Sequence, residues 1–394
     1  MKVNIEERIK SIQLLYKNSL ILNPTENIPW ISGIDTNFLQ GMYLPENMRT
    51  NEDKVIFAGR EAINTPGDNL YEMWQKLIGV QHVSMKYHSG LDAHIILFMS
   101  ISKIGDKVLL LPELAGGHFS TYEILTRLGL VIKEFIVNKP KLCIDIEQSK
   151  KLINEWKPDY IFVDRSEGLN YEDFSWLKQY SKICKVFDAS QYLSHIISNH
   201  YQNPFDMGFD IVVSTLHKNY PGTQKAAVFV KNNQYIWDKI EFGLKTYISN
   251  THPKDIFDVL LATPPLSVIS EYSETVLKNA EALEENLLAM KVPVVKRNKY
   301  VPITQHIWIE THNKEKAYKY FRNLENLKIL TNYRLLPYGL GFGLRLGTAA
   351  ATRQGLTPSG TLQLAKVLAK TWENDIIDNN LKKSAEEMIK NIKQ

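Results

Sequence analysis

Short apolar runs alternate with helical stretches along the first two thirds of the chain, and this alternation constrains the fold more than any other sequence feature. Each run has the length of a strand that is buried on both faces. The predicted strands are residues 108–112, 130–137, 160–163, 185–187, 211–213 and 226–230. A regular alternation of this kind predicts an α/β fold built on a wound, mostly parallel sheet.

The pattern changes in the last third of the chain. A long helix is predicted over residues 268–290, and strands at 306–309 and 343–346 follow it. A chain of 394 residues with 44% hydrophobic content exceeds one ordinary domain, so more than one is expected. The predicted division is an N-terminal helical segment at 1–45, a large domain at 46–265 and a smaller C-terminal domain at 266–394.

Charge and cysteine content exclude several classes of protein. The formal net charge is +4 and the basic residues are scattered, so no nucleic-acid partner is expected. Cys143 and Cys184 are too few for a disulfide framework or a cysteine-based zinc site, and no metal site is predicted. Since no apolar stretch has the length of a signal peptide or a membrane helix, a cytoplasmic protein without membrane contact is expected.

The strongest local signal is a lysine that follows the predicted strand at 211–213. Lys218 comes directly after His217, close behind the hydroxyl pair Ser214 and Thr215 and ahead of a Pro-Gly turn. A lysine that forms a Schiff base needs a fixed position and a lowered pKa, and a strand end can supply both. A solvated lysine at a strand-to-loop junction gives the same pattern, so this signal leaves both interpretations open.

Three further segments would suit the parts of pyridoxal phosphate (PLP). Asp188 ends a predicted strand and could hold the ring nitrogen of PLP protonated. Ser89 and Gly90 open a helix, where backbone N–H groups and a hydroxyl bind phosphate. His118 follows two glycines and could stack on a planar ring. Taken singly, these residues would also suit a turn, a helix cap and a surface histidine.

A fifth signal lies near the C-terminus, where Arg345 interrupts an apolar strand. A buried arginine needs an anion, and its planar fork suits a carboxylate such as that of an amino acid. A structural salt bridge is the competing interpretation of Arg345.

Together and in this order, these segments resemble serine hydroxymethyltransferase, a fold-type I PLP enzyme, over residues 22 to 357. The motifs that carry the resemblance include Leu-His-Lys at 216–218, Ala-Gly-Gly-His at 115–118 and the Arg-x-Gly-Thr pattern that begins at Arg345. The resemblance implies a large PLP-binding domain with a mostly parallel, seven-stranded sheet flanked by helices, and a smaller α/β C-terminal domain. It also implies PLP bound covalently to Lys218, and a homodimer or a dimer of dimers.

The resemblance also implies roles for individual residues. Thr25 and Arg345 would bind the substrate carboxylate. Lys218, Glu46, His217 and Tyr43 would be catalytic, although the spacing around Glu46 is one residue longer than in the family. The cofactor-binding residues would be Ser89, Gly90, His118, Ser166, Asp188, Gln191, Thr215 and Thr251, of which Gln191 replaces a histidine of the family.

Departures from the family concentrate where it binds folate. Residues 56–59 replace a segment whose tyrosines help to form the folate and substrate sites, and the segment after His118 lacks the folate-contacting loop. Residues 249–253 replace a glycine-rich loop that reaches the phosphate of the partner subunit, and Gln224 replaces an arginine. Because lost tyrosines remove stacking area for a flat pterin, folate use is not expected.

The leading hypothesis is aldol chemistry on an α-amino acid, in which the Cα–Cβ bond is cleaved or formed. Release of the products would make the enzyme an aldolase, and addition to another aldehyde would make it a transaldolase. The alternative within enzymes is an aminotransferase or another PLP-dependent transferase of a specialised pathway. A non-catalytic PLP-binding protein is a third interpretation, against which the joint presence of Asp188, Lys218 and Arg345 argues.

Overall fold

The computed structural model describes residues 5–42, 58, 61–298, 300–374 and 376–394. The predicted site residues Tyr43 and Glu46 lie outside these residues, as does most of the segment 56–59. Within the described part of the chain, no helix is both long enough and apolar enough to cross a membrane.

The chain divides into two compact units, each with its own core. The larger unit comprises Pro29–Gly168 and Glu172–Glu271, and the smaller unit comprises Met1–Ile28, Leu169–Tyr171 and Tyr272–Gln394. The chain therefore begins in the unit that also contains its C-terminal third. The boundaries expected from the sequence, after residues 45 and 265, stay a prediction.

The strands are numbered in chain order. They are β1 (Leu20–Ile21), β2 (His82–Tyr87), β3 (Lys107–Leu110), β4 (Val131–Glu134), β5 (Val137–Asn138), β6 (Cys143–Ile144), β7 (Tyr160–Val163), β8 (Cys184–Asp188), β9 (Ile211–Thr215), β10 (Ala226–Val230), β11 (His306–Glu310), β12 (Ile329–Leu330), β13 (Asn332–Leu336) and β14 (Gly341–Gly347).

The α-helices are numbered in the same way. They are α1 (Ile5–Lys17), α2 (Glu61–Ile78), α3 (Gly90–Ile101), α4 (Thr121–Arg127), α5 (Ile146–Trp156), α6 (Leu193–Ile197), α7 (Gln234–Tyr247), α8 (Pro253–Ala262), α9 (Leu266–Ala289), α10 (Lys314–Asn326), α11 (Ala349–Arg353), α12 (Thr361–Glu373) and α13 (Asn379–Ile392).

A seven-stranded sheet forms the centre of the larger unit. Its strand order is β2-β10-β9-β8-β7-β3-β4. The five strands from β9 to β4 are parallel, and β10 runs antiparallel to both of its neighbours. The predicted fold, a mostly parallel sheet in an α/β domain, is confirmed.

The apolar runs of the sequence form strands because both faces of this sheet are covered. Every residue of β7, β9 and β10 is buried. Helix α3 packs against α7 and against β9 and β10. Continuous runs of valine, isoleucine and phenylalanine are what such a strand requires, since neither face reaches water. One core cluster links these strands to the two helices.

An antiparallel sheet of three strands, in the order β11-β14-β13, forms the smaller unit together with its helices. The chain start contributes here through β1, which pairs in parallel with β12. Leu20 and Leu22 belong to the same core cluster as Leu344 and Leu346 of β14 and residues of α12 and α13. Leu20 and Leu22 are therefore part of the core of this unit, whereas α1 has no buried residue.

The structure differs from the predicted strands at several places, and it contains the strands β1, β6, β12 and β13, which were not predicted. Residues 130–137 form two strands, since β4 pairs with β3 while β5 pairs with β6 in a separate ladder. Strand β2 was not predicted, because it lacks the continuous apolar run of the predicted strands and instead alternates polar and apolar residues. Ser84 is buried in this strand, whereas His82 and Lys86 are half-buried.

Candidate active site

Parallel strands bring their carboxyl ends to one edge of a sheet, and the candidate site lies at that edge. Strand β8 ends at Asp188, which pairs with Val213 of β9. Strand β9 ends at Thr215, three residues before Lys218. The loops after β7 and β3 lead to Ser166 and His118. The register of the sheet therefore places four separate loops around one point.

A cavity of about 170 Å³ lies among these loops in the larger unit. It gathers eight of the residues that the sequence assigned to PLP and catalysis: Ser89, Gly90, His118, Ser166, Asp188, Thr215, His217 and Lys218. The remaining lining residues are Leu91, His94, Asp164, Ser190 and Gln224. A cofactor lysine, an acid for a ring nitrogen and a helix N-terminus for phosphate thus share one enclosed space.

The N-terminus of α3 has the features of a phosphate site. Ser89 is the N-cap, and its hydroxyl accepts a hydrogen bond from the Asp92 N–H at 3.1 Å. An ideal Cβ on Gly90 would lie 2.6 Å from the Thr215 methyl carbon, so only glycine keeps the backbone open there. The Thr215 hydroxyl is buried and has no hydrogen-bond partner among the described residues. A buried hydroxyl without a partner, on a side chain that lies against a helix N-terminus, fits a phosphate oxygen.

Asp188 has the features required beside a protonated ring nitrogen. Its Oδ1 accepts the Ser190 N–H at 2.7 Å, and its Oδ2 lies 2.7 Å from Nε2 of His94. Burial alone would raise the pKa of Asp188, but the hydrogen bond and the charge of His94 lower it below its usual range. The carboxylate is therefore ionised and fixed, and it fits the ring of PLP.

His118 is held in place by a contact between two loops. Gly116 has φ +86°, and an ideal Cβ on it would lie 2.0 Å from the carbonyl oxygen of Glu167. The Glu167 N–H donates to the Gly116 carbonyl at 3.0 Å. On the other side, Nδ1 of His118 lies 2.7 Å from the Ser120 hydroxyl. Burial lowers the pKa of His118, so its ring is neutral at neutral pH.

The loop that carries Lys218 is anchored by the next residue. The Asn219 amide oxygen accepts the N–H of Ser194 at 2.8 Å and its hydroxyl at 2.5 Å. The Asn219 amide nitrogen lies 2.9 Å from Nε2 of His195. On the other side of Lys218, burial and the lysine charge lower the pKa of His217 to about 4.

Four predicted site residues of the described chain do not line this cavity. Gln191 and Thr251 are both buried outside its lining, and the Thr251 carbonyl accepts a hydrogen bond from Nζ of Lys225 at 2.9 Å. Thr25 and Arg345 belong to the smaller unit. The cofactor and substrate roles of these four residues stay predictions.

Within the smaller unit, the segment before Thr25 is hydrogen-bonded to the end of the strand that contains Arg345. The Gly347 N–H, at the end of β14, donates to the Leu22 carbonyl at 2.8 Å. Arg345 is 3% exposed and stands two residues before Gly347 in that strand, so the guanidinium is buried as predicted. The Thr25 hydroxyl donates to the side-chain oxygen of Asn23 at 2.9 Å.

Sequence reasoning missed two charged residues of the cavity, His94 and Asp164. His94 lies within the apolar stretch of α3, where a histidine is easily taken for a core residue. Asp164 directly follows β7, so the rule that ligands lie at strand ends could have found it. The ligand atoms of His94, Asp164 and Asp188 lie within 4.8 Å of one another, which would also suit a metal ion where none was expected.

The anchor of the Lys218 loop generates a prediction about acid stability. Burial lowers the pKa of His195 from 6.5 to about 3, so the folded protein keeps this imidazole neutral while the unfolded chain binds a proton below 6.5. Stability is therefore retained above pH 6.5 and lost as the pH falls toward 3. The substitution His195→Gln keeps a hydrogen-bond acceptor for Asn219 and removes this titration.

Urea unfolding at a series of pH values checks this expectation. Between pH 6.5 and 3, the free energy of unfolding should fall more steeply for the wild type than for His195→Gln. The substitution His312→Gln, at an exposed histidine, should leave the wild-type slope unchanged. Parallel curves for the wild type and His195→Gln would contradict the assignment.

Comparison with known proteins shows similarity to PLP enzymes in sequence. A serine hydroxymethyltransferase of Saccharolobus solfataricus is 25% identical over 381 residues, which cover 93% of this chain and 85% of the relative. One of Archaeoglobus fulgidus is 21% identical over 82% of this chain and 75% of its own length. A fluorothreonine transaldolase of Streptantibioticus cattleyicolor is 24% identical over 89% of this chain and 56% of that longer protein.

A solved structure and a family model are also similar to this chain. The crystal structure of L-threonine transaldolase from Pseudomonas fluorescens superposes with a TM-score of 0.88 at 20% identity, covering 98% of this chain and 91% of that one. The model of the family described as serine hydroxymethyltransferase matches residues 57–368. These residues include the whole cavity, from Ser89 to Gln224. The chain therefore belongs to the serine hydroxymethyltransferase family, whose enzymes use PLP bound to a lysine.

Proposed function

We propose that this enzyme cleaves and forms the Cα–Cβ bond of a β-hydroxy-α-amino acid, and that it passes the glycine unit to a second aldehyde without tetrahydrofolate. One observation carries the proposal: Lys218, Asp188 and His118 line a single cavity at the edge of the sheet. Aldol-type PLP chemistry is a property of the family to which the chain belongs. The choice of transaldol transfer is the part that needs a direct test.

Each part of PLP has a matching group in the cavity. Lys218 would hold it covalently, and Asp188 would accept a hydrogen bond from its protonated ring nitrogen. His118 would cover one ring face, while Thr215 and the N-terminus of α3 would bind its phosphate. When bound, PLP supplies an electron sink for negative charge that develops at Cα.

Two histidines of the cavity are suited to accept protons. Burial and the charge of Lys218 lower the pKa of His217 to about 4, and burial also lowers the pKa of His118. Both rings are therefore neutral at neutral pH, and a neutral imidazole has one nitrogen that can accept a proton. Tyr43 and Glu46 are retained as further candidates for acid–base steps, on the resemblance alone.

Arg345 and Thr25 are proposed to bind the substrate carboxylate. A buried guanidinium in an apolar strand requires an anion, and its two parallel N–H groups match a carboxylate. The support within the smaller unit is the burial of Arg345 and the attachment of the segment before Thr25 to the end of β14.

Folate independence is proposed from the connection between His118 and α4. The chain passes from His118 into α4 at Thr121, and the Ser120 hydroxyl is bonded to the histidine ring. This short connection stands where the family has a folate-contacting loop. Two relatives are named for transaldol transfer, one on threonine and one on fluorothreonine. The homodimer and the cytoplasmic location expected from the sequence stay predictions.

The proposed reaction is tested by product analysis with the holoenzyme. Incubation with L-threonine and benzaldehyde should release acetaldehyde and yield a new β-hydroxy amino acid that mass spectrometry detects. Adding tetrahydrofolate should not raise the rate. Lys218→Ala should abolish both products and the visible absorbance of the lysine-bound cofactor. Lys231→Ala, at an exposed lysine of the same unit, is the matched control and should retain both.

The same assay separates the alternatives. A 2-oxo acid as the product would establish transamination and overturn the proposed function. Product formation from L-serine only when tetrahydrofolate is present would establish hydroxymethyl transfer, and the transaldol part of the proposal would be wrong. If acetaldehyde and glycine form without the new β-hydroxy amino acid, the enzyme is a simple aldolase.

The fit of the phosphate site gives a second prediction. Thr215→Val keeps the shape of the side chain and removes the buried hydroxyl that has no partner among the described residues. Loss of one hydrogen bond to a charged group costs about 1.5–3 kcal/mol, so PLP should bind the apoenzyme about 10- to 100-fold more weakly. Thr246→Val, on the exposed face of α7, is the control. Equal PLP affinity in Thr215→Val and wild type would place the phosphate elsewhere.

A further inference from the structure

His94 is a buried titratable residue of the cavity that the proposed reaction does not use. It lies on α3, and only 3% of the residue is exposed. Its Nε2 is 2.7 Å from Asp188 Oδ2, and its ring meets that of Phe162 edge-on with centroids 4.9 Å apart. Packing against Phe162 fixes the imidazole, and the imidazole in turn fixes the carboxylate.

We propose that His94 is a positioning residue, whose hydrogen bond to Asp188 Oδ2 keeps that carboxylate ionised and so keeps the proton on the ring nitrogen of PLP. This inference rests on the proposed function, which assigns Asp188 to that nitrogen. In this role His94 acts through its hydrogen bond to Asp188.

The hydrogen bonds of Asp188 leave room for one more donor. The Ser190 N–H binds Oδ1 and His94 binds Oδ2, so each oxygen retains acceptor capacity. A carboxylate buried to 5% exposure would otherwise tend to take up a proton. The two fixed donors oppose that tendency, and they set the plane of the carboxylate before any ligand enters.

Asp164 favours a positive charge on His94. It is 2% exposed and accepts a hydrogen bond from the Thr121 hydroxyl at 2.5 Å. One oxygen of Asp164, one oxygen of Asp188 and one ring nitrogen of His94 lie within 4.8 Å of one another. Two buried carboxylates at this separation repel each other, and a positive charge on the neighbouring His94 lowers that cost.

Charged groups on several elements around the cavity set the pKa of His94. Burial alone would lower the pKa of His94, and Lys218 opposes protonation as well, but the hydrogen bond to Asp188 and the charge of Asp164 together raise it above 6.5. Neighbouring His118 is neutral because burial lowers its pKa. The imidazolium is thus present at neutral pH and is lost as the pH rises through the raised pKa of His94.

The charge of His94 determines whether one proton lies on the ring nitrogen of PLP or on Asp188. A proton shared between a ring nitrogen and a carboxylate moves toward the stronger base. Without a cation at His94, burial raises the proton affinity of Asp188, so the carboxylate would take the proton from the ring. With the imidazolium present, Asp188 stays ionised and the ring stays protonated, which is the form that accepts negative charge.

The test uses PLP labelled at its ring nitrogen, bound to the holoenzyme without substrate. NMR of the label should show a protonated ring at neutral pH in the wild type and a ring that has lost its proton in His94→Gln. The two titrations should converge at high pH, where His94 of the wild type is neutral. Asp164→Asn should shift the wild-type titration in the same direction by a smaller amount, and it provides the test if His94→Gln does not fold. His82→Gln, at a histidine stacked on Trp237, is the matched control.

A cofactor analogue with CH in place of the ring nitrogen separates electrostatics from packing. His94→Gln should weaken PLP binding by about tenfold or more, the effect of one charged hydrogen bond, and should leave the affinity for the analogue within about twofold of wild type. Equal losses for PLP and the analogue would mean that His94 only supports the fold, and the proposal would be overturned. Identical ring titrations in wild type and His94→Gln would overturn it as well, as would a stoichiometric metal ion at His94, Asp164 and Asp188.

Failure of this inference and failure of the proposed function are distinguishable. The ring titration needs bound PLP but no turnover. A wild type that shows the expected titration and makes a 2-oxo acid supports the role of His94 and refutes aldol chemistry. If the enzyme performs transaldol transfer and its ring titration is the same in wild type and His94→Gln, the proposed function is supported and the role of His94 is refuted.

Discussion

Asp188 carries a negative charge at the buried end of β8, and the organisation of the site depends on stabilising that charge. A buried carboxylate is costly unless fixed donors surround it. Here the donors come from different elements, because the Ser190 N–H follows β8 and His94 projects from α3. Strand β8 must therefore keep its position relative to the helix. The parallel register that pairs Asp188 with Val213 then determines where β9 ends and where the loop to Lys218 begins.

The loops at this edge are fixed to one another before a cofactor enters. Gly116 accepts a hydrogen bond from Glu167, which connects the loop of His118 to the loop of Ser166. Asn219 is bound by Ser194 of α6, which connects the loop of Lys218 to a helix behind it. Such contacts reduce the freedom that binding would otherwise have to remove. Preorganised donors and acceptors also stabilise developing charge without reorganisation during the reaction. These contacts between loops therefore set the geometry of the cavity, whichever substrate enters it.

The sequence predicted the parts of this site that follow a strand or open a helix. Lys218, Asp188 and Ser89 were found because each interrupts a regular pattern at a place where ligands bind, and the order of the motifs supplied the family. His94 was missed because its partner Asp188 is 94 residues away in sequence, and an imidazole in an apolar helix gives no local signal. Strand β2 was missed for another reason, since its polar and apolar residues alternate, whereas the predicted strands are continuous apolar runs. The pairing of His94 with Asp188 depends on the fold, and no pattern within one segment contains it.

Three histidines in one cavity have been given different charges by their surroundings. The pKa of His94 is raised by two carboxylates, whereas burial lowers the pKa of His118 and of His217. At neutral pH one ring is therefore a fixed cation and two are neutral. Groups of one chemical type whose pKa values are driven apart can take different roles at the same pH. The cation can only hold charge in place, while the neutral rings can take up a proton from a substrate hydroxyl. Aldol cleavage needs both, since the hydroxyl must lose its proton while negative charge at Cα is stabilised through the ring that Asp188 holds.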